Sequence, residues 1–278
     1  MTVETTRRPD ELPSEPHPLD VVSPARIAHL VEEVGVRKAN LPLIPLLTLG
    51  VLAGAFISFG AMFYTVTITG SELGLGPTRL VGGLAFSLGL ILVLIGGAEL
   101  FTGNSLIVMA WADGRVSTAA LLRNWGLVYL GNLVGALGTV VLVQLSGIMA
   151  TGDGAVAKTA AAIAQAKVAL DPMQAFARGV LCNTLVCLAV WMCFAAHTVS
   201  GKVLAIVFPI TAFVALGLEH SIANMYLIPI GALNGASGIG IGALVANLVP
   251  VTIGNIGGGG VLVALVYWLV YLRADKSR

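Results

Sequence analysis

The distribution of charge constrains the fold of this chain more than any other feature of its sequence. Of the 29 charged residues among 278, 12 lie in residues 1–38 and 4 lie in residues 273–278, which leaves 13 for residues 39–272. A water-soluble domain covers its surface with many more charged side chains than that. The sequence therefore predicts a polytopic membrane protein with polar ends.

Composition excludes other classes of protein. A net charge of +1 excludes a nucleic-acid binder that relies on contacts to phosphates. An aromatic content of 6% and the lack of alternating ten-residue segments argue against an outer-membrane β-barrel. The fold class is therefore all-α, with helices that contact the lipid bilayer.

Six stretches are long and apolar enough to cross the bilayer core, which takes about 20 helical residues. They cover residues 43–69, 79–111, 119–148, 174–200, 203–232 and 240–272. Ser23-Pro24 is typical of a helix start, and apolar residues at helical spacing follow it. We therefore predict a disordered cytoplasmic tail (1–22), an amphipathic N-terminal helix (23–38), a six-helix transmembrane domain (39–272) and a cytoplasmic C-terminal tail (273–278).

The lysine and arginine residues indicate the orientation. Six spans place both termini on one side, and eleven of the fifteen basic residues fall on that side. Arg79, Lys158, Lys167 and Arg178 fall on the other. The positive-inside rule then predicts a multi-pass protein of the cytoplasmic (inner) membrane with both termini in the cytoplasm.

Two of the six segments carry matching polar interruptions. Gly97-x-Glu99-x-x-x-x-Asn104 in the second segment and Gly217-x-Glu219-x-x-x-x-Asn224 in the fifth share one spacing, 120 residues apart. Asn132-Leu133-Val134 and Asn247-Leu248-Val249 echo each other in the third and sixth segments. We interpret these matches as two inverted repeats of three helices each, with the second and fifth helices broken.

Glycines four residues apart predict close helix packing. The pairs are Gly50 and Gly54, Gly131 and Gly135, and Gly254 and Gly258. Small residues at this spacing let two helix backbones approach each other in a membrane. The same faces are candidates for contacts between subunits.

Broken helices at membrane depth must lie inside protein or beside water, so the interruptions should line a path. Half-helix N-termini favour anions there. Glu99 and Glu219 could bind ions, but facing an anion path they would repel it. We therefore favour a loop-shaping role, in which each carboxylate accepts hydrogen bonds from freed loop N–H groups.

Four polar residues are candidates for the path itself. His220 lies in the second break and Thr102 in the first, so the two could hydrogen-bond an anion or pass it a proton. Lys167 could be an interfacial lysine or could concentrate anions at a mouth of the path, as could Lys158. Asn183 and Asn255 could join helices or donate hydrogen bonds to a substrate.

The residues do not favour an enzyme. Cys182, Cys187 and Cys193 lack metal-ligand spacing and are expected to be buried small side chains, so we predict no metal and no cofactor. A membrane-embedded redox subunit is the alternative from another class, but paired haem ligands are missing from the sequence. A water or glycerol channel is a further rival, but its paired Asn-Pro-Ala loops are missing.

Four motifs in order resemble the formate/nitrite transporter family over about residues 25–272. They are Glu99 to Asn104 (ELFTGN), Gly179 to Trp191 (GVLCNTLVCLAVW), Glu219 to Met225 (EHSIANM) and Asn247 to Ile256 (NLVPVTIGNI). The resemblance implies an aquaporin-like protomer, a homopentamer, and one path per protomer for a small weak-acid anion. Formate is the expected substrate, with nitrite or hydrosulfide as the alternatives.

The resemblance also implies roles for individual residues. Thr102 and His220 would face each other across the path, Lys167 would lie in the external vestibule, and Asn183 and Asn255 would lie near the path. Apolar residues would form a dry constriction and its lining: Leu100, Phe101, Phe213, Phe86, Leu90 and Val186. A neutral acid crosses such a constriction far more easily than a bare anion. Proton assistance is therefore expected, with the proton supplied by His220 directly, through water, or from bulk.

Overall fold

The computed structural model describes residues 21–273, and these residues form an all-helical bundle. Residues 1–20 of the predicted tail, and residues 274–278 at the other end, lie outside the described part. The helices are α1 (Pro24–Ala39), α2 (Leu43–Ile68), α3 (Leu75–Gly96), α4 (Val108–Ala112), α5 (Thr118–Leu145), α6 (Ala155–Val168), α7 (Pro172–Ala195), α8 (Val199–Ala215), α9 (Ser221–Leu233) and α10 (Ile241–Ile256). A 3₁₀ turn (Gly103–Ile107) precedes α4, and π-helical turns continue α10 to Leu272.

Five helices of the described part are long and apolar enough to cross a membrane: α2, α3, α5, α7 and α10 with its continuation. Three apolar helices are shorter, namely α8, α9 and residues 103–112. Residues 21–273 thus hold ten α-helices where the sequence predicted six spans and one amphipathic helix. Two predicted segments are divided, and α6 lies in a stretch for which the sequence predicted no helix.

The divisions occur at glycines. α3 ends at Gly96, and Gly97 has a φ of +86°. α8 ends at Ala215, and Gly217 has a φ of +69°. Side chains other than glycine rarely adopt this left-handed backbone, so each glycine lets the chain leave its helix without strain. Each helix end is followed by a loop that carries a glutamate, Glu99 or Glu219.

α1 packs its apolar face onto the bundle. Ser23 caps the helix by accepting a hydrogen bond from the Arg26 N–H, and Ile27 and Val31 are buried. Glu32 is also buried and forms an ion pair of 2.9 Å with Arg115. Burial raises the pKa of Glu32, a hydrogen bond with the Asp113 carboxyl raises it further, and Arg115 lowers it.

Glycines bring α2 and α5 into backbone contact. A Cβ added at Gly54 would overlap the Asn132 carbonyl oxygen, and one added at Gly135 would overlap the Val51 carbonyl oxygen. Both positions are far inside van der Waals contact, so the close packing predicted from glycine spacing is confirmed here. α7 and the π-helical continuation of α10 make the equivalent contact, where Gly258 faces the Val180 carbonyl oxygen.

Gly135→Ala is therefore expected to destabilise the protein by about 3 kcal/mol, because two backbones must separate to admit the methyl group. Gly138→Ala, on the same helix, is the matched control. A Cβ at Gly138 meets nothing within 4 Å among the described residues, so this variant should keep or slightly raise stability. Thermal unfolding of both variants in detergent tests this, and equal midpoints would contradict it.

Candidate functional site

A buried ion pair holds the second helix break. Lys167, in the last turn of α6, places its Nζ 2.9 Å from Glu219 Oε1. The other carboxylate oxygen of Glu219 accepts a hydrogen bond of 2.6 Å from the Asn224 amide. Asn224 also donates to Asn247 Oδ1, and the Asn247 amide donates to the Lys167 carbonyl, which closes the network. Lys167 is thus fixed to the break and is not a free interfacial lysine.

The first break carries the same network. Lys38 Nζ lies 2.6 Å from Glu99 Oε1 and 3.0 Å from Asn104 Oδ1. The Asn104 amide donates to Glu99 Oε2 and to Asn124 Oδ1, and the Asn124 amide donates to the Lys38 carbonyl. Lys38 was not predicted from the sequence as a site residue and counted there only as a basic residue beside the membrane. The internal repeat was the signal that could have predicted this role of Lys38, because the buried carboxylate in each half of the repeat needs a cation as its partner.

The two networks correct the register of the repeat in the third and sixth segments. Asn124 and Asn247 are equivalent to each other. The side-chain oxygen of each accepts a hydrogen bond from Asn104 or Asn224, and the amide of each donates to the carbonyl of Lys38 or Lys167. The predicted pairing of Asn132 with Asn247 is therefore wrong. A shared Asn-Leu-Val triplet produced that match, whereas the hydrogen bonds pair Asn132 with Asn255.

Asn132 and Asn255 hold the loop backbones. Asn132 Oδ1 accepts from the Phe101 N–H at 3.0 Å, and Asn255 Oδ1 accepts from the Ser221 N–H at 2.9 Å. Their amides donate to the carbonyls of Glu99 and Glu219, respectively. The prediction that the two glutamate side chains accept the freed loop N–H groups is wrong in this respect. The glutamate side chains bind lysine and asparagine side chains. The N–H groups of Phe101 and Ser221 bind asparagine oxygens, and those of Glu99 and Glu219 bind backbone carbonyls.

Asn183 ties α7 to the first break. Its amide donates to the Thr102 carbonyl at 3.1 Å, to Ser105 Oγ at 3.2 Å and to the Asn255 carbonyl at 2.7 Å. Asn183 and Asn255 are both fully buried. Of the two roles considered for these amides, the observed contacts are those of residues that join helices.

Thr102 and His220 meet between the two breaks. Thr102 Oγ1 lies 3.0 Å from His220 Nε2, and both residues are buried. His220 also caps α9, since its Nδ1 accepts a hydrogen bond of 3.1 Å from the Ala223 N–H. In a neutral imidazole whose Nδ1 accepts, Nε2 carries the proton. His220 therefore donates its Nε2–H to Thr102 Oγ1.

The repeat is asymmetric at this point. At the spacing of 120 residues, His220 occupies the place of Leu100, and Ile222 occupies that of Thr102. One loop thus carries an apolar side chain where the other carries a hydrogen-bonding one. The two breaks thus have the same supporting hydrogen-bond network, but they differ in the side chains at these two positions of the loop.

A cavity of about 180 Å³ adjoins His220 on one side, here called the Lys167 cavity. Lys167, Phe86, Phe213 and His220 are among its lining residues. The Phe86 and Phe213 rings pack edge to face with centroids 5.4 Å apart, and Phe213 stacks on the His220 ring at 5.9 Å. Three aromatic rings in mutual contact therefore form part of the lining of this cavity.

A second cavity of about 200 Å³, here called the Lys38 cavity, lies beside the first break. Its lining includes Lys38, Lys202 and the buried side chains of Leu90 and Leu100. Phe101 is buried and packs edge to face on Tyr129 at 4.9 Å. Each cavity is thus lined both by the lysine that pairs with the glutamate of one break and by buried apolar side chains.

The three cysteines are buried, as predicted, and Val186, which was predicted to line the path, is buried but is not among the lining residues of either cavity. The Cys187 thiol donates to the Thr102 carbonyl at 3.4 Å. Within residues 21–273, no three His, Cys, Asp or Glu side chains are grouped so that they could hold a metal ion.

Comparisons with known proteins agree with this geometry. Residues 25–269 match the family model described as formate/nitrite transporter. The formate channel FocA of Escherichia coli K12 is 42% identical over 278 residues, covering 93% of this chain and 98% of FocA. A solved pentameric formate channel with formate bound superposes with a TM-score of 0.77 at 42% identity, covering 83% of this chain and 98% of that one. A second structure, an FNT family ion channel, gives a TM-score of 0.78 at 30% identity, covering 88% and 98%.

Proposed function

The chain belongs to the formate/nitrite transporter family, whose members are channels and transporters rather than enzymes, and from that premise we propose that it carries formate across the membrane. Nitrite and hydrosulfide are the alternative substrates. Two observations favour formate: the similarity to FocA, and the similarity to a solved channel that holds formate. The path runs through each protomer.

The Thr102–His220 pair, with one lysine-bearing cavity on each side of it, is the observation that carries this proposal. An anion would leave water in one cavity beside Lys38 or Lys167, pass the hydrogen-bonding pair, and leave through the other. The charges of Lys38 and Lys167 are paired with Glu99 and Glu219, so the two lysines offer the anion N–H donors rather than net charge. Leu100 and Phe213 then impose the dry step, which a bare anion crosses only at a large desolvation cost.

Proton assistance lowers this cost, because formic acid is neutral. His220 is placed to donate a hydrogen bond from Nε2, and its Nδ1 is already occupied by the Ala223 N–H. An imidazolium would need a proton on Nδ1, which the Ala223 N–H opposes. We therefore assign His220 the role of a neutral donor that holds the anion with Thr102, while the proton arrives from water in the cavities.

The apolar and polar lining residues support this passage in different ways. Glu99 and Glu219 fix the lysines, and Asn183 and Asn255 fix the loop backbones around Thr102 and His220. The apolar constriction and its lining comprise Leu100, Phe101, Phe213, Phe86, Leu90 and Val186. The path thereby stays preorganised while the anion loses its water.

The proposed topology has six crossings in two inverted repeats. In it, α3 continues into residues 103–112 as one broken crossing, and α8 continues into α9 as the other. The chain would sit in the cytoplasmic membrane with both termini in the cytoplasm, and five copies would assemble around an axis that carries no substrate. The pentameric assembly of the similar formate channel supports this stoichiometry.

Uptake into proteoliposomes tests the proposal. Initial fluxes of formate, nitrite and hydrosulfide are measured in parallel at two pH values, with protein-free vesicles as the baseline. Formate flux should be the largest of the three and should rise as the pH falls. A dominant nitrite or hydrosulfide flux would replace formate as the substrate, and fluxes at the baseline for all three would overturn the transport function.

A further inference from the structure

The Lys167 cavity holds two arginines that the transport path described above does not use. Arg79 on α3 and Arg178 on α7 both line it. Arg79 donates to the Ala215 carbonyl at 3.3 Å, and Arg178 donates to the Gly217 carbonyl at 3.3 Å. The two side chains therefore converge from different helices on the C-terminal end of α8.

Gly217 keeps the two arginines close together. The Nη1 atoms of Arg79 and Arg178 each lie 4.0 Å from the place that a Cβ would take on Gly217. The two Nη1 atoms are thus no farther apart than twice that distance. The Arg178 backbone is fixed as well, because its carbonyl accepts a hydrogen bond of 3.4 Å from the Glu219 N–H. Arg178 is therefore anchored to the break by both its backbone and its side chain.

These arginines supply the uncompensated charge of the cavity. Lys167 is neutralised by Glu219, whereas neither Arg79 nor Arg178 forms an ion pair with a carboxylate of residues 21–273. Each donates to a backbone carbonyl through a single nitrogen, and a guanidinium has five N–H donors in a planar fork. Both arginines therefore retain donors that can reach an anion in the cavity.

Resting on the proposed function, we propose that Arg79 and Arg178 form an oxyanion clamp that selects planar anions with two oxygens as they occupy the Lys167 cavity. The guanidinium fork matches two oxygens held in one plane, which formate and nitrite have and hydrosulfide and chloride lack. A lysine ammonium supplies the same charge without the fork. The clamp thus binds by shape as well as by charge, before the anion reaches His220.

The test compares Arg79→Lys/Arg178→Lys with Arg79→Met/Arg178→Met in proteoliposomes. The readouts are the half-saturating formate concentration and the competitive inhibition constant of hydrosulfide against formate flux. The lysine variant should raise the half-saturating formate concentration about tenfold and leave the hydrosulfide value unchanged, because it loses the fork and keeps the charge. The methionine variant should raise both values.

Arg26→Met is the control, since it removes an exposed charge of α1 that lines neither the Lys38 cavity nor the Lys167 cavity. It should change neither value. A lysine variant with the half-saturating formate concentration of the wild type would overturn the clamp and leave only a charge effect. Wild-type values in both double variants, together with lowered unfolding temperatures, would reduce the arginines to caps of α8.

Formate flux through the unmodified protein is measured in the same vesicles, so that failure of the proposed function is recognised separately. If the protein carries nitrite instead, nitrite replaces formate as the two-oxygen probe.

Discussion

His220→Asn is expected to lower the maximal formate flux about tenfold while the flux still rises as the pH falls. Asparagine is a good N-cap, so its side chain can accept the Ala223 N–H that His220 now accepts. Its shorter side chain cannot also present a donor at the position of Nε2, which lies 3.0 Å from Thr102 Oγ1. Losing one such hydrogen bond raises the barrier by about 1.4 kcal/mol, or tenfold in rate.

The pH profile distinguishes the two proton sources. If water in the cavities supplies the proton, the ratio of the fluxes at low and high pH should be the same in His220→Asn and in the unmodified protein. Loss of the pH dependence in this variant would instead make His220 the proton donor. His220→Ala is the structural control. It removes the cap of α9 as well, so its unfolding temperature should fall while that of His220→Asn stays close to the original.

The second large effect is expected at the buried ion pair of the second break. Lys167→Met should destabilise the protein by about 3 kcal/mol, because it leaves the Glu219 carboxylate buried without its cation. The double variant Lys167→Met/Glu219→Gln should recover most of this loss, since it removes both charges and keeps the hydrogen bond with the Asn224 amide. Reversible unfolding in detergent of the unmodified protein, these two variants and Glu219→Gln gives the four free energies of a double-mutant cycle.

The equivalent pair at the first break provides the comparison. The Lys38 side chain is 28% exposed, against 14% for Lys167, so water can reach the charges at the first break more easily. Lys38→Met should therefore destabilise less than Lys167→Met. A larger loss for Lys38→Met, or a coupling free energy near zero for Lys167 and Glu219, would contradict the assignment of these pairs as supports of the breaks.

Local sequence patterns were sufficient for much of the fold. A bilayer accepts long apolar helices and excludes exposed backbone, so the composition of residues 39–272 leaves few alternatives to a helical bundle. The two Gly-x-Glu motifs likewise identify both helix breaks, since glycine and a buried carboxylate inside an apolar segment are difficult to accommodate in a continuous helix. α6 was not predicted, because its 14 residues are too short, and only moderately apolar, to resemble a span.

The sequence by itself determined that this chain is a helical membrane protein, where its helices break, and which family it resembles. Only the tertiary structure decided the partners: Lys38 with Glu99, Asn132 with the Phe101 N–H, and Arg178 with the Gly217 carbonyl. The spacing of residues along the sequence indicates how each residue affects the helix to which it belongs. A charged side chain or a buried N–H group instead binds a partner that is distant in the sequence, 61, 31 or 39 residues away in these three cases, and the packing of the helices selects that partner.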